Sequence, residues 1–285
     1  MALNERSLEE IAEHVRAGRL SIAASMLAEA APNRYLAGQA LARLSHASNL
    51  SSPEVEQLLA KLQRYGVNVR PSDVPSVLPG PPTVAMPPGW QDLETLGYIT
   101  PVANLRSIEE KGILSFNRAR QIQHVSIADP QIQERRHRRP IRGRDLHDYV
   151  NLFINPRNAM LSRVISEQGV SNIAVVAVSA PAVFALPDVL VTVRNAAARS
   201  YVEPWPGIRG LQSLDRDIVF TDSWYRQGKE DRDLKQRMMA EVLVPDTVPA
   251  SLLTAIAVAS SDAARRLKLL PIRLPVLIDR QLFFS

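Results

Sequence analysis

The stretch QHVSIADPQIQERRHRRPIRGRDLHDYVNLFINPRNAM, residues 123–160, joins a strongly basic segment to an apolar one. Six arginines (Arg135, Arg136, Arg138, Arg139, Arg142 and Arg144) fall within ten residues with no acid among them. Leu146-His147-Asp148-Tyr149-Val150 then leads into Leu152-Phe153-Ile154 and closes on Asn155-Pro156-Arg157. A solvated basic tail stays polar, whereas this one runs into core-type sequence. Arginines tethered to buried structure suit an anionic ligand, because guanidinium binds phosphate bidentately and keeps its charge. The plainer alternative is an arginine-rich surface loop, and charge alone favours it.

At 285 residues, 46% hydrophobic and 22% charged, the chain can form one large domain or two smaller ones. It has no apolar run of transmembrane length, and MALNERSLEEIAEH is too polar for a signal peptide. These features predict a cytoplasmic protein with no membrane role. The absence of cysteine excludes disulfides, a thiolate nucleophile and a zinc–thiolate site. Five histidines without i, i+4 spacing argue against a metal enzyme, so no metal is expected. Net charge is +5, and residues 1–90 carry eight basic against eight acidic residues, so the excess lies downstream. A localised positive field favours nucleic acid or a phosphorylated small molecule.

The first seventy residues read as four short helices. Ser7 and Glu10 form a capping-box pattern, followed by an apolar face of Leu8, Ile11, Ala12 and Val15 that ends at Gly18. Leu20 to Ala31 and Asn33 to Leu44 are the second and third helices. Ser52-Pro53 opens a fourth, with Val55, Leu58, Leu59 and Leu62 on its face. No chemistry is visible in this region, which suits docking, oligomerisation or regulation through a partner left unknown. Seven prolines between 71 and 88 predict an extended spacer. The expected organisation is thus a helical domain over 1–70, a linker over 71–89 and a larger domain over 90–285.

In that larger domain, Asn104 to Lys111 and Met160 to Glu167 read as helices, with an arginine-rich loop between them. Strands are expected at Ile173–Val178, Val189–Val193, Ile218–Thr221, Glu241–Val244 and Ile256–Ala259. Leu234 to Met239 reads as a short helix or turn. Without regular βαβ alternation the fold class is α+β. No G-x-G-x-x-G or P-loop is present to cradle a nucleotide.

Glu241 heads an apolar strand, where a carboxylate is costly to bury unless paired or functional. A solvent-facing strand end is the equal alternative. A carboxylate opposite an arginine suits a reaction that develops positive charge at a sugar carbon while a diphosphate is held nearby. A serine triad is unsupported, since no G-x-S-x-G element exists. His147 and Asp148, adjacent on a strand, would point to opposite faces.

Three blocks carry a resemblance to a known family. The first is Tyr98-Ile99-Thr100 … Asn104-Leu105 … Ile108 … Gly112-Ile113-Leu114. The second runs Ser126-Ile127-Ala128-Asp129 … Ile132-Gln133-Glu134-Arg135-Arg136 … Leu146-His147-Asp148-Tyr149-Val150 … Asn155-Pro156-Arg157-Asn158-Ala159-Met160-Leu161. The third is Lys235-Gln236 … Ala240-Glu241-Val242-Leu243-Val244. In order and rough spacing they resemble the DarT family of NAD-dependent DNA ADP-ribosyltransferases, toxins usually paired with a macrodomain antitoxin, DarG. The resemblance runs from about Tyr98 to the carboxyl end and leaves the first ninety residues unexplained.

The resemblance implies an ADP-ribosyltransferase-like split β-sandwich with NAD as substrate in a cleft between its halves. By motif, Glu241 matches the catalytic glutamate, and Arg136 matches the arginine that contacts NAD and assists the base. Tyr98, Ile99, Thr100, Ser107 and Leu114 fall where the family lines its NAD pocket. Gln123 to Arg138 corresponds to the loop over the cofactor, with Ser126 to Glu134 closing on it and His147 to Arg157 as scaffold beneath. Trp224, Tyr225 and Arg226 fall in the substrate-recognition loop, where aromatics beside arginine suit stacking on unpaired bases. The outer arginines, from Arg138 and Arg139 to Arg144, are candidates for backbone phosphate contacts.

Two departures stand out. Gly97-Tyr98-Ile99-Thr100 replaces the family's usual Tyr-His-Ile-Thr, placing tyrosine at the histidine position and leaving open altered affinity, altered substrate or a weakened enzyme. Asn151 replaces a proline after Asp148-Tyr149-Val150, a minor loop change. Protein-modifying members of the wider superfamily place Glu or Gln two residues before the catalytic glutamate. Met239 stands there, which favours a nucleobase acceptor. The expected function is ADP-ribose transfer to a base of single-stranded DNA, thymine before guanine, with a DarG-like macrodomain as antitoxin partner. The alternatives are a diverged module that binds NAD or nucleic acid without transfer, and an RNA acceptor.

Overall fold

In the computed structural model, which describes residues 5–31, 37, 40, 41, 44, 52–67, 69, 83–137 and 139–284, the apolar stripes of the first unit meet one another. That unit is Met1–Gly80 and the second is Pro81–Ser285. Helices Glu5–Arg16, Leu20–Ala30 and Ser52–Arg64 bury Ile11, Leu27, Leu58 and Leu62 in one cluster. Of the expected helix over Asn33 to Leu44, only Ala37, Ala40, Leu41 and Leu44 are described. All four are helical and buried, at the i, i+3, i+4, i+7 spacing of one face. As described, the first helix already includes Glu5, so Ser7 lies within it rather than before it. Glu5 and Arg6 are good helix formers and extend the turn backward. Residues 71–82 of the proline-rich stretch lie outside the described residues.

The second unit starts earlier than the proline pattern suggests. Val84 donates its N–H to the Pro181 carbonyl at 3.1 Å, and Val84 and Met86 pack on the main core. Proline bars ladder hydrogen bonds but leaves neighbouring apolar side chains free to pack.

Its strands are β1 (Thr95–Pro101), β2 (Ile113–Leu114), β3 (Pro140–Ile141), β4 (Arg144–Asp145), β5 (Tyr149–Phe153), β6 (Ile173–Ser179) and β7 (Leu190–Val191). They continue as β8 (Trp205–Pro206), β9 (Tyr225–Arg226), β10 (Lys229–Glu230), β11 (Glu241–Pro245), β12 (Thr247–Val248), β13 (Leu253–Val258) and β14 (Val276–Ile278). Eight of them form one sheet in the order β14-β13-β6-β1-β5-β11-β7-β8. Between β1 and β5 the pairing is Gly97 with Phe153 alone, so the sheet is two four-stranded halves hinged at one residue pair. This is the α+β, split-sheet arrangement that the resemblance implies.

Phe153 also pairs with Glu241 on its other side, which sets Gly97, Phe153 and Glu241 in one row across the split. Gly97 has a steric reason to be glycine. A Cβ there would lie 2.6 Å from Cβ of Pro156, which the Asn155-Pro156-Arg157 turn presses against the strand. Asn158 caps the next helix, Ala159–Gln168, by accepting from the N–H groups of Met160 and Leu161.

Several elements differ from the sequence reading. Ile218–Thr221, expected as a strand, is largely a helical turn, Arg216–Val219, because Asp215 caps the Ile218 N–H at 3.3 Å. The expected strand Val189–Val193 is only Leu190–Val191. β1 had no alternation to reveal it, since most of its residues are buried on both faces. Pro130–His137 is a helix, not a loop. Asp129 accepts from the N–H groups of Gln131 and Ile132, and Pro130 stands at the first helical position. Among the described residues, no helix is long and apolar enough to cross a membrane.

Substituting Gly97→Ala forces the hinge apart or displaces Pro156. The expected loss is about 1–3 kcal/mol of stability by chemical denaturation. An unchanged midpoint would show that the close approach is not required.

Candidate active site

β11 begins at Glu241, and its position in the sheet buries the carboxylate completely. Its backbone is locked to Thr192 by two bonds: Glu241 N–H to Thr192 Oγ1, and Thr192 N–H to the Glu241 carbonyl, each 2.9 Å. Both carboxylate oxygens are engaged. Arg136 Nη1 and Nη2 each lie 3.3 Å from Oε2, and Asn195 Nδ2 donates to Oε1 at 2.9 Å. Arg136, in the last turn of helix Pro130–His137, is itself 6% exposed. Burial pushes the Glu241 carboxyl above its ordinary 4.5, and the charge and hydrogen bonds of Arg136 oppose that shift. Three N–H donors aimed at its oxygens favour the carboxylate form.

The Glu241–Arg136 pair lies on the wall of a cleft of about 860 Å³. That volume falls within the ~300–1,000 Å³ typical of small-molecule and cofactor sites. Its lining carries seven arginines and lysines (Arg135, Arg136, Arg163, Arg194, Arg199, Arg232 and Lys235) against Asp129, Asp233 and Glu241. A polyanion is the ligand that such a balance attracts. One wall is Tyr98, Ile99 and Thr100 of β1 with Leu114 of β2. Burial pushes the Tyr98 hydroxyl above its ordinary 10, so it remains a neutral phenol that can donate. Residues 124–129 also line the cleft, held by Asn104. That side chain makes two 2.8 Å bonds with the backbone of Val125, donating to its carbonyl and accepting from its N–H. Arg163 adds a 3.1 Å bond to the Ile127 carbonyl.

The structure therefore gathers Tyr98, Ile99, Thr100, Leu114, Arg136 and Glu241 around one cleft. Ser107 is not among its lining residues and sits on helix Leu105–Lys111, directed by that helix rather than by β1. Trp224, Tyr225 and Arg226 are outside the cleft, on the β9–β10 hairpin, with Tyr225 and Arg226 exposed. Trp224 lies edge-on to Phe284, ring centres 6.3 Å apart, and Arg226 pairs with Asp231 at 3.5 Å. Arg138 lies outside the described residues. Arg139 donates to the carbonyls of Ala196 at 2.7 Å and Ala198 at 2.6 Å, and stacks over Tyr201. Its guanidinium thus organises the loop that carries Asn195. Asn195 and Thr192 carry no local signal, because only tertiary pairing brings them to Glu241, 46 and 49 residues away.

A buried carboxylate braced by arginine and asparagine beneath a basic cleft defines a site built to stabilise positive charge beside a bound polyanion. The family model described as "ssDNA thymidine ADP-ribosyltransferase, DarT" matches residues 98–284, and the chain belongs to that family. It is 32% identical over 200 residues, 66% of its length, to a DNA ADP-ribosyl transferase–DNA ADP-ribosyl glycohydrolase fusion protein of Thermosipho africanus, of which it spans 49%. Among solved structures it is similar to Thermosipho africanus DarTG in complex with ADP-ribose, at 31% identity and a TM-score of 0.58. That match covers 67% of this chain and 51% of the other. It is also similar to Thermus sp. 2.9 DarT in complex with ADP-ribosylated single-stranded DNA, at 27% identity and a TM-score of 0.59. Here 70% of this chain and 99% of the other are covered.

Asn104→Ala removes both anchors of Val125. Amide exchange at Val125 is expected to speed up by roughly 5- to 150-fold, corresponding to about 1–3 kcal/mol of local stability, while global unfolding moves little. Exchange at the wild-type rate would show that the rim is held by other contacts.

Proposed function

We propose that this chain cleaves NAD at its nicotinamide–ribose bond and transfers ADP-ribose to a thymine base in single-stranded DNA. The observation that carries the proposal is the fully buried Glu241 carboxylate, held by Arg136 and Asn195 at the wall of the basic cleft. Nicotinamide leaves with the bonding electron pair, and the anomeric carbon becomes cationic. The Glu241 carboxylate stabilises that carbon in a water-poor setting, where such stabilisation is strongest. A thymine nitrogen then bonds to the anomeric carbon and releases its proton to solvent. Arg136 holds the donor and stabilises charge on the incoming base. The acceptor nitrogen is occupied in a duplex, so an unpaired base is required. The arginine and lysine residues of the cleft receive the diphosphate, with Tyr98, Ile99, Thr100 and Leu114 forming the apolar side of the NAD site.

The exposed Tyr225 and Arg226, with Trp224 beside them, supply a stacking and phosphate-binding surface for the strand. The fusion of transferase and glycohydrolase in the Thermosipho africanus relative supports a macrodomain antitoxin, DarG-like, as the partner that reverses the modification. A cytoplasmic location follows from NAD and DNA as substrates.

Incubation with labelled NAD and single-stranded oligonucleotides is expected to label thymine-containing DNA. Glu241→Ala and Arg136→Ala should each lower the rate by about 10²–10³-fold or more. Label on RNA only would move the acceptor, and NAD binding without transfer to any nucleic acid would assign the chain as a diverged binding module.

The ionised Glu241 is the active form, so kcat/KM should fall on an acidic limb with a midpoint above 4.5. Stability has the opposite sign. A carboxyl raised by folding stabilises the fold fully below its unfolded value, and that contribution is lost as pH rises through the folded value. Glu241→Gln should remove this component from the pH–stability profile. An acidic limb at or below 4.5 would contradict the placement of Glu241.

A further inference from the structure

The β3–β4 hairpin brings three ligand-type side chains together outside the Glu241–Arg136 pair. Arg142 and Gly143 have positive φ values of 49° and 79°, the two-residue turn that reverses a hairpin tightly. Pairing of Pro140 with Asp145 returns the chain beside the end of helix Pro130–His137, and the turn Leu146–Asp148 adds His147. His137 Nδ1 lies 3.6 Å from Asp145 Oδ2, and His147 Nδ1 lies 3.9 Å from Asp145 Oδ1. One ligand atom from each residue lies within 4.8 Å of the others. Ligand atoms on tetrahedral zinc are about 3.4 Å apart, given metal–ligand distances near ~2.1 Å. Closing the difference requires the exposed His137 ring, now stacked on the buried His147 ring at 5.9 Å, to turn.

A second observation concerns His147 itself. Its Nε2 is 2.9 Å from Gln133 Oε1. An amide oxygen only accepts, so this contact has Nε2 as the donor and leaves Nδ1 as the ring atom on the Asp145 side. Nδ1 faces the Asp145 carboxylate at 3.9 Å, too long for a direct hydrogen bond. Metal-ligating histidines show this same arrangement, the far N–H tied to an oxygen that fixes tautomer and ring orientation. His137 also ends an eight-residue helix, whose carbonyl end favours positive charge.

We propose that His137, Asp145 and His147 bind one divalent transition-metal ion of the zinc class, with water completing its coordination on the exposed His137 side. Arg136, His137 and Arg120 are the cationic groups whose charge acts on His147. Arg136 is engaged by Glu241, and Arg120 lies over the Phe116 ring. Mg²⁺ and Ca²⁺ need oxygen-rich cages, whereas two imidazoles select Zn²⁺, Ni²⁺ or Cu²⁺. His137 directly follows Arg136, and His147 leads into β5, the strand beside Glu241. A bound ion therefore ties the arginine-bearing helix to the sheet at the reaction centre and strengthens NAD binding. That last consequence rests on the proposed function; ion binding does not.

The test is calorimetric titration of the full, tag-free, chelator-treated chain with zinc sulfate, alongside thermal unfolding. One ion per chain and a zinc-dependent rise in Tm are expected, with no response to magnesium. His137→Ala, at an exposed position, should weaken zinc binding by roughly 10- to 100-fold and leave the metal-free Tm unchanged. Asp145→Asn should weaken it similarly. Absence of saturable zinc binding, or equal binding by wild type and both variants, would overturn the site. Zinc should also lower the KM for NAD in wild type and not in His137→Ala. A KM indifferent to zinc would overturn the coupling while the ion site stands.

Discussion

The ion pair between Arg136 and Glu241 sets the terms for the rest of the second unit. A carboxylate at zero exposure is costly unless its lone pairs are met, and breaking such a pair typically costs about 3–5 kcal/mol. The surrounding structure is arranged to meet it. Thr192 fixes the backbone of Glu241, Asn195 holds one oxygen, and the helix capped by Asp129 delivers Arg136 to the other. A hydrophobic pair could be as stable in the same space. Retention of the charges is therefore better explained by chemistry than by folding.

The split in the sheet serves that pair. β1 and β5 are joined by a single residue pairing, so the two halves diverge and leave the cleft between their faces. Gly97 makes the junction by admitting Pro156, and Phe153 carries the row across to Glu241. The basic residues then ring a cavity whose chemical centre is negative. A bound polyanion and a developing cation can thus be held side by side, each opposite a fixed group of the other sign.

Much of this was legible in the sequence. The helical face of Ile11 and Val15, the strand ending in Val242-Leu243-Val244, and the Glu241 candidate followed from periodicity and the cost of burying charge. Arg136 was singled out of six arginines only through family motif, because composition gives all six the same weight. Asn195 was not legible, since no local pattern marks a residue whose partner is 46 positions away. Ile218–Thr221 was misread because β-branched content outweighed the Asp215 cap beside it. Charge marks Arg139 for phosphate, but its bonds to the Ala196 and Ala198 carbonyls exist only in the folded loop and leave no trace in the sequence. Helical spacing does not relate the histidines, and it is a hairpin turn that brings His137, Asp145 and His147 together.

A crystal structure of the full chain with a non-hydrolysable NAD analogue tests the central claim most directly. The account predicts the anomeric carbon of the nicotinamide ribose in contact with the Glu241 carboxylate, with the diphosphate against the cleft arginines. An analogue bound elsewhere, or with its nicotinamide ribose turned away from Glu241 and Arg136, would contradict it.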